Sequence, residues 1–206
     1  MGSFSLTEIL TILPGILLAI TCHEFAHGYV AYRFGDPTAK HYGRLTLNPI
    51  KHIDPMGFLM LFFAGFGWAK PVPVNPNNFS NRKWGNFLVS IAGIVTNLVL
   101  ALLLTMVLGI YLRVTTSGVL IDAIFYAINI NVGLAIFNLL PFPPLDGSKI
   151  ILSFFSERAE DIYYRYQRQA QVILLLLVVL DVTDVFLVPP RMFIMNQLLS
   201  IIELFI

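Results

Sequence analysis

The chain of 206 residues is 57% hydrophobic and only 12% charged, with a mean hydropathy of +0.77 and a formal net charge of +1. Soluble domains are about a quarter charged and roughly 45–50% apolar, so a water-soluble enzyme is ruled out, and without an acidic or basic tail so is electrostatic capture of nucleic acid. The sequence reads as a polytopic membrane protein whose one cysteine, Cys22, has no internal partner and leaves the redox compartment unmarked.

In chain order, residues 6–31 form the first apolar stretch, with Pro14 and Gly15 as a kink signal and, unusually, a glutamate and two histidines inside it. With no charged n-region and no small-residue cleavage site before it, it reads as a permanent helix and not a removable signal. Residues 35–55 are a polar loop punctuated by Asp36-Pro37, Asn48-Pro49 and Asp54-Pro55. Residues 56–69 are apolar, but this run is short and broken by Gly57, Gly65 and Gly67, which predicts a re-entrant or membrane-edge hairpin. Prolines extend residues 70–75, and residues 41–47 have strand character, so the two segments are expected to pair as short strands.

The clearest span is 85–111, inside a run from Trp84 to Leu112 that holds no Asp, Glu, Lys or Arg. Residues 119–140 are the next, broken by Pro141, Pro143 and Pro144 ahead of a polar segment over 148–168. A further span is expected over 169–188, ended by Pro189-Pro190. Residues 192–206 are apolar apart from Glu203 and suit either a short span or an interfacial helix. The fold class expected is an all-α polytopic membrane protein of about four to six transmembrane helices with a short membrane-associated β-hairpin or sheet, as a single domain over 1–206. Arg33, Lys40, Arg44, Lys51, Lys70, Arg82, Lys83, Lys149, Arg158, Arg165 and Arg168 then share one face, against Arg113 and Arg191 on the other. That asymmetry puts the loops after the first span and after Leu140 in the cytoplasm.

His23-Glu24-Phe25-Ala26-His27 carries the chemistry. Residues i and i+4 of a helix share a face, so both imidazoles reach one metal ion while Glu24 stands beside them as a base for a water. Ionisable groups in a membrane helix cost about 2.5–3.5 kcal/mol each at its centre and are usually functional. By helical rise the site lies roughly 10 Å from the cytoplasmic end of the span. A proton relay or a packed polar cluster is the blander reading.

Catalytic zinc usually takes three protein ligands. The third candidate is Asp146, because Asn138-Leu-Leu-Pro141-Phe-Pro143-Pro144-Leu-Asp146-Gly147 interrupts an apolar helix and then presents a carboxylate. Unwound backbone at membrane depth survives only inside protein or beside a wet cavity. The prolines equally suit a plain helix end at the membrane surface, with Asp146 capping the next helix.

The sequence resembles the site-2 protease family of intramembrane zinc metalloproteases, in the compact bacterial form without PDZ or CBS domains. That family is recognised by HExxH in one span and NxxPxPxLDG in another, here His23 to His27 and Asn138 to Gly147, and Gly67-Trp68-Ala69-Lys70-Pro71-Val72-Pro73-Val74 is also similar. The resemblance implies one Zn²⁺ per chain held by His23, His27 and Asp146, a catalytic Glu24, and Asn138 as a polar group that holds a substrate carbonyl or oxyanion. It also implies hydrolysis of peptide bonds in or near transmembrane segments of membrane-protein substrates within a lipid bilayer, in a bacterial inner membrane with the site nearer the cytoplasmic side. One departure is Ala92-Gly93-Ile94-Val95-Thr96-Asn97, where the family often has Gly-Pro-x-x-Asn, which puts any role of Asn97 near the metal in doubt. The alternative class is a membrane metal or proton transporter using the same His/carboxylate cluster; it needs weak sites in series, whereas Glu24 with a complete third-ligand motif suits hydrolysis. A catalytically silent relative that binds membrane helices is a third reading. His41, His52 and Asp54 lie in the cytoplasmic loop, where bordering the cleft is one reading and solvation or turn capping the expected one.

Overall fold

A computed structural model describes residues 6–64 and 67–205; Gly65 of the expected hairpin, the first five residues and Ile206 lie outside the described residues. The α-helices are α1 (Leu6–Arg33), α2 (Thr38–His41), α3 (Pro55–Ala64), α4 (Arg82–Leu112), α5 (Val119–Leu139), α6 (Asp146–Leu152), α7 (Glu157–Val179) and α8 (Asp184–Glu203). Among the described residues α1, α4, α5 and α8 are long and apolar enough to cross a membrane.

The pattern along α4 explains how these helices assemble. Its buried stripe is small or polar: Ser90, Gly93, Asn97, Ala101 and Thr105, spaced three or four apart. Its exposed stripe is aliphatic, with Val95, Val99, Leu103, Val107 and Ile110 about half uncovered. A soluble helix would reverse the two; in lipid, helices gain by close contact of small residues and by hydrogen bonds across the seam. Gly15 of α1 shows how close that contact is, since a Cβ there would lie 2.9 Å from Ala127 Cα on α5. Ala101 and Leu108 of α4, Ile128, Val132 and Ile136 of α5, and Met195, Leu198 and Ile202 of α8 form the apolar core behind the site.

Gly35, at φ 99°, ends α1 in the left-handed conformation that glycine adopts without strain. Gly35 N–H bonds Tyr32 O and Asp36 N–H bonds Ala31 O, at 3.1 and 2.9 Å. The turn delivers the buried Asp36 carboxylate to Thr38 N–H, Asn75 N–H (2.7 Å) and Asn78 Nδ2 (2.7 Å), fastening the loop after α1 to the segment before α4. Burial by itself would raise the Asp36 carboxyl, but the donors from Thr38, Asn75 and Asn78 outweigh it and hold the group below the usual aspartate range.

Three expectations are corrected. The β-hairpin is not seen: among the described residues the β pairing is one antiparallel bridge, Ile53 with Ala69. Pro71 and Pro73 lack N–H groups, Val72 gives its own to Glu24 and Asn75 gives its own to Asp36, so residues 71–75 have little left for a ladder. The segment 41–47 meets it through a side chain instead, Arg44 Nη2 donating to Lys70 O at 2.7 Å. The span over 169–188 is two helices, because α7 stops in a left-handed turn at Asp181 (φ 56°), with Val182 N–H on Leu177 O and Asp181 N–H on Val178 O. Finally, α8 does not end at Pro189-Pro190 but runs through them to Glu203, which places residues 192–203 in the last candidate span. The apolar 56–69 stretch becomes α3, about 15 Å long by helical rise, and its return brings Ala69 back to Ile53.

Candidate metal centre

His23 and His27 lie one turn apart on α1, their rings edge to face at 87°. Both are buried, at 5% and 8% exposure, as is Asp146 at 5%. The proline-rich break brings Asp146 to them from more than a hundred residues away, and α6 begins on it. Gly147 is required by this fold: a Cβ there would sit 2.2 Å from Leu139 O, so the chain leaving α5 and the start of α6 could not lie together. Asp146 is therefore not a cap at a plain helix end.

The donor atoms converge. His23 Nε2 and His27 Nε2 are 2.9 Å apart, and Asp146 Oδ2 is 3.2 Å from the first and 3.0 Å from the second. The other ring nitrogens are already engaged. His27 Nδ1 lies 2.7 Å from Val89 O, a carbonyl that only accepts, so it carries the proton. His23 Nδ1 lies 2.6 Å from Asn97 Oδ1. Asn97 is oriented without ambiguity, because its Nδ2 donates to Ala19 O (3.1 Å) and to Asn131 Oδ1 (2.8 Å), while Asn131 Nδ2 donates to Ala127 O. Neutral imidazoles with protonated Nδ1 present bare lone pairs at Nε2. Two such lone pairs and a carboxylate oxygen within 3.2 Å repel one another unless a cation lies among them. The donor set fits a divalent metal with nitrogen and oxygen ligands, zinc above all; hydrogen-bonding each ligating histidine through its second nitrogen is how protein metal sites fix tautomer and aim.

Glu24 is held one residue along, its Oε2 accepting Val72 N–H at 2.7 Å, so the chain after α3 is tied to α1 beside the two histidines. Lys149 Nζ lies 3.4 Å from Asp146 Oδ1, the oxygen turned away from the histidines. Gly93 of α4 lies flat against His23: a Cβ there would come within 2.5 Å of the ring.

Comparison with known proteins points to one family. The sequence profile described as peptidase family M50 matches residues 109–180, the part that carries Asp146. A candidate zinc metalloprotease of Bacillus subtilis, YwhC, is 49% identical over 142 residues, which are 66% of this chain and 65% of that protein. The chain is similar to peptidase family M50. Rip2 of Mycobacterium tuberculosis, named in the same way, is 34% identical over 66% of this chain and 54% of its own length, and sll0528 of Synechocystis is 30% identical over 70% and 32%. The chain thus spans less than two thirds of these relatives. No solved structure matches it.

The structure gathers His23, His27 and Asp146 and sets Glu24 next to them, while Asn138 Nδ2 donates to Leu134 O within α5 at 3.0 Å. Asn97, whose role near the metal the sequence left in doubt, touches His23, and Asn131 is the residue sequence reasoning missed. Both are fully buried, and the signal was available, since an asparagine inside an otherwise apolar span is expensive and seeks a partner. Asp54 caps α3 through Gly57 N–H (2.9 Å) as expected, whereas His52 is not a solvated loop residue but fully buried.

Proposed function

We propose that this chain hydrolyses peptide bonds in or beside the transmembrane helix of another membrane protein, as one domain whose site faces the cytoplasmic side of a bacterial inner membrane. The observation that carries this reading is the meeting of three acceptor atoms, His23 Nε2, His27 Nε2 and Asp146 Oδ2, beside a glutamate. Zinc held there supplies Lewis acidity toward a carbonyl and lowers the pKa of water. His23 and His27 keep their lone pairs inward because Asn97 and Val89 hold their Nδ1 protons. Glu24 takes a proton from the attacking water and returns it to the leaving amine; its bond to Val72 N–H fixes one oxygen and leaves the other for this work. Asn138, with one amide proton on Leu134 O, has a second to offer an oxyanion.

Short strands at residues 44–47 and 72–74 would offer an unwound substrate an edge to pair with, but neither segment is a strand, so this chain gives that route no basis. The test is cleavage of a single-span substrate by the purified protein in lipid vesicles, compared with Glu24→Gln. Cleavage is expected to fall by about 10²–10⁴-fold in the variant, and undiminished cleavage would remove Glu24 from the mechanism.

A further inference from the structure

A cavity of about 140 Å³ lies along α1 at Ile16, Leu17, Ile20 and Thr21, the last of these one helical turn before Glu24. Its walls include Ile20 and Thr21 of α1, His52, Phe58 and Leu61 of α3 and the loop before it, and Trp68. Ile20 and Thr21 stand four and three residues before Glu24, hence on the same side of the helix. The opposite wall, at Trp68 and Ala69, runs directly into Val72, whose N–H binds the Glu24 carboxylate. Both walls therefore lead to the catalytic base.

The lining is mostly apolar; besides Asp54, which caps α3, it includes Thr21 and His52, each with one buried polar atom that has no partner among the described residues. Thr21 Oγ1 makes no hydrogen bond, although Thr11 and Thr105 bond the carbonyl four residues back at 2.8 Å. His52 donates from Nε2 to Thr46 O at 2.8 Å, so its Nδ1 is an acceptor, and Nδ1 too is unpartnered. Buried polar atoms are nearly always paired, and here, among the described residues, one donor and one acceptor are left over on two residues that line the same cavity. One residue of an unwound helix presents the complement: a free N–H, a free C=O and a side chain. In a membrane each of those backbone groups must find a partner. As for size, an apolar cavity of about 150 Å³ accepts benzene, which matches leucine or phenylalanine; alanine leaves it void and tryptophan overfills it.

We propose that this cavity is the subsite for one apolar residue of the unwound substrate segment next to the cleaved bond. The leucine- or phenylalanine-sized side chain fills it, the residue's N–H donates to His52 Nδ1 and its C=O accepts from Thr21 Oγ1. The assignment rests on the proteolytic reading above and adds to it a rule for where the enzyme cuts.

The test uses full-length protein in vesicles and single-span substrates with Ala, Leu, Phe or Trp at each position flanking the cut, mapped by mass spectrometry. At one position Leu and Phe are expected to be cut roughly tenfold or more better in kcat/KM than Ala or Trp. Leu61→Ala enlarges the cavity and shifts that position toward Trp. Thr21→Val keeps the shape, removes the donor and lowers kcat/KM for every substrate about tenfold, while Thr21→Ser restores it. A flat profile at every flanking position, or one unmoved by Leu61→Ala, overturns the proposal. A second readout needs no turnover: with Cys22→Ser and Glu24→Gln, Leu61→Cys should form a disulfide with a cysteine at one substrate position. Absence of that cross-link also overturns the subsite, whereas a cross-link without cleavage in the active protein sinks the hydrolytic reading and leaves the cavity as a substrate-binding site.

Discussion

Asn97 Oδ1 lies 2.6 Å from His23 Nδ1, and through its own amide Asn97 ties that imidazole to Ala19 of α1 and Asn131 of α5. A single side chain therefore sets the tautomer of one proposed ligand and fastens three helices around it. Asn97→Ala removes the acceptor and orphans Asn131 Oδ1 in a fully buried place. Zinc affinity is expected to fall roughly 10–100-fold, the usual cost of losing a ligand's hydrogen-bond partner. Chelator competition measures it, and an unchanged dissociation constant would show that His23 needs no such support.

Gly93→Ala sets two effects against each other. Alanine is the better helix former by about 1 kcal/mol, yet its Cβ would lie 2.5 Å from the His23 ring. The ring is caught between Asn97 and Asp146 and cannot swing away without losing one of them. Metal content is expected to drop along with activity, as read by elemental analysis of the purified variant; full zinc occupancy would mean that α4 yields instead.

Asp146→Ala and Glu24→Gln should separate binding from chemistry. The first removes one of three converging donors, so bound zinc is lost. Glutamine still accepts from Val72 N–H, so the second keeps both zinc and fold and loses cleavage alone. Equal zinc in wild type and Asp146→Ala would place the third ligand elsewhere.

Asp36 predicts a pH effect away from the metal. Its carboxyl is held below its ordinary value in the folded chain, so its stabilising contribution is complete above the unfolded pKa of about 4 and disappears as pH falls through the lower folded value. With charge-assisted bonds from three residues on a fully buried group, roughly 1–3 kcal/mol is at stake. Thermal unfolding between pH 7 and pH 3 should show wild type converging on an Asp36→Asn variant that starts lower. Parallel curves would deny Asp36 that part.

What could be seen in advance follows from how local each signal is. His23 and His27 are related by one helical turn, so their spacing alone joins them; Asp146 was betrayed by the prolines before it. Asn97 was not, because its partner is 74 residues away and the isoleucine at 94 breaks the expected motif. The strand pairing failed for a different reason: Pro71 and Pro73, read as extending the chain, lack the N–H donors a ladder requires. The division of 169–188 was hidden because Asp181 adopts a left-handed turn that glycine normally signals.

The aliphatic stripe along α4 has a practical corollary. With valine and leucine outermost and serine, asparagine and threonine enclosed, the chain stripped of detergent will clump through that belt and not stay dispersed. Dilution below the micelle threshold is therefore expected to aggregate the protein as a solvent effect, which return to lipid should reverse.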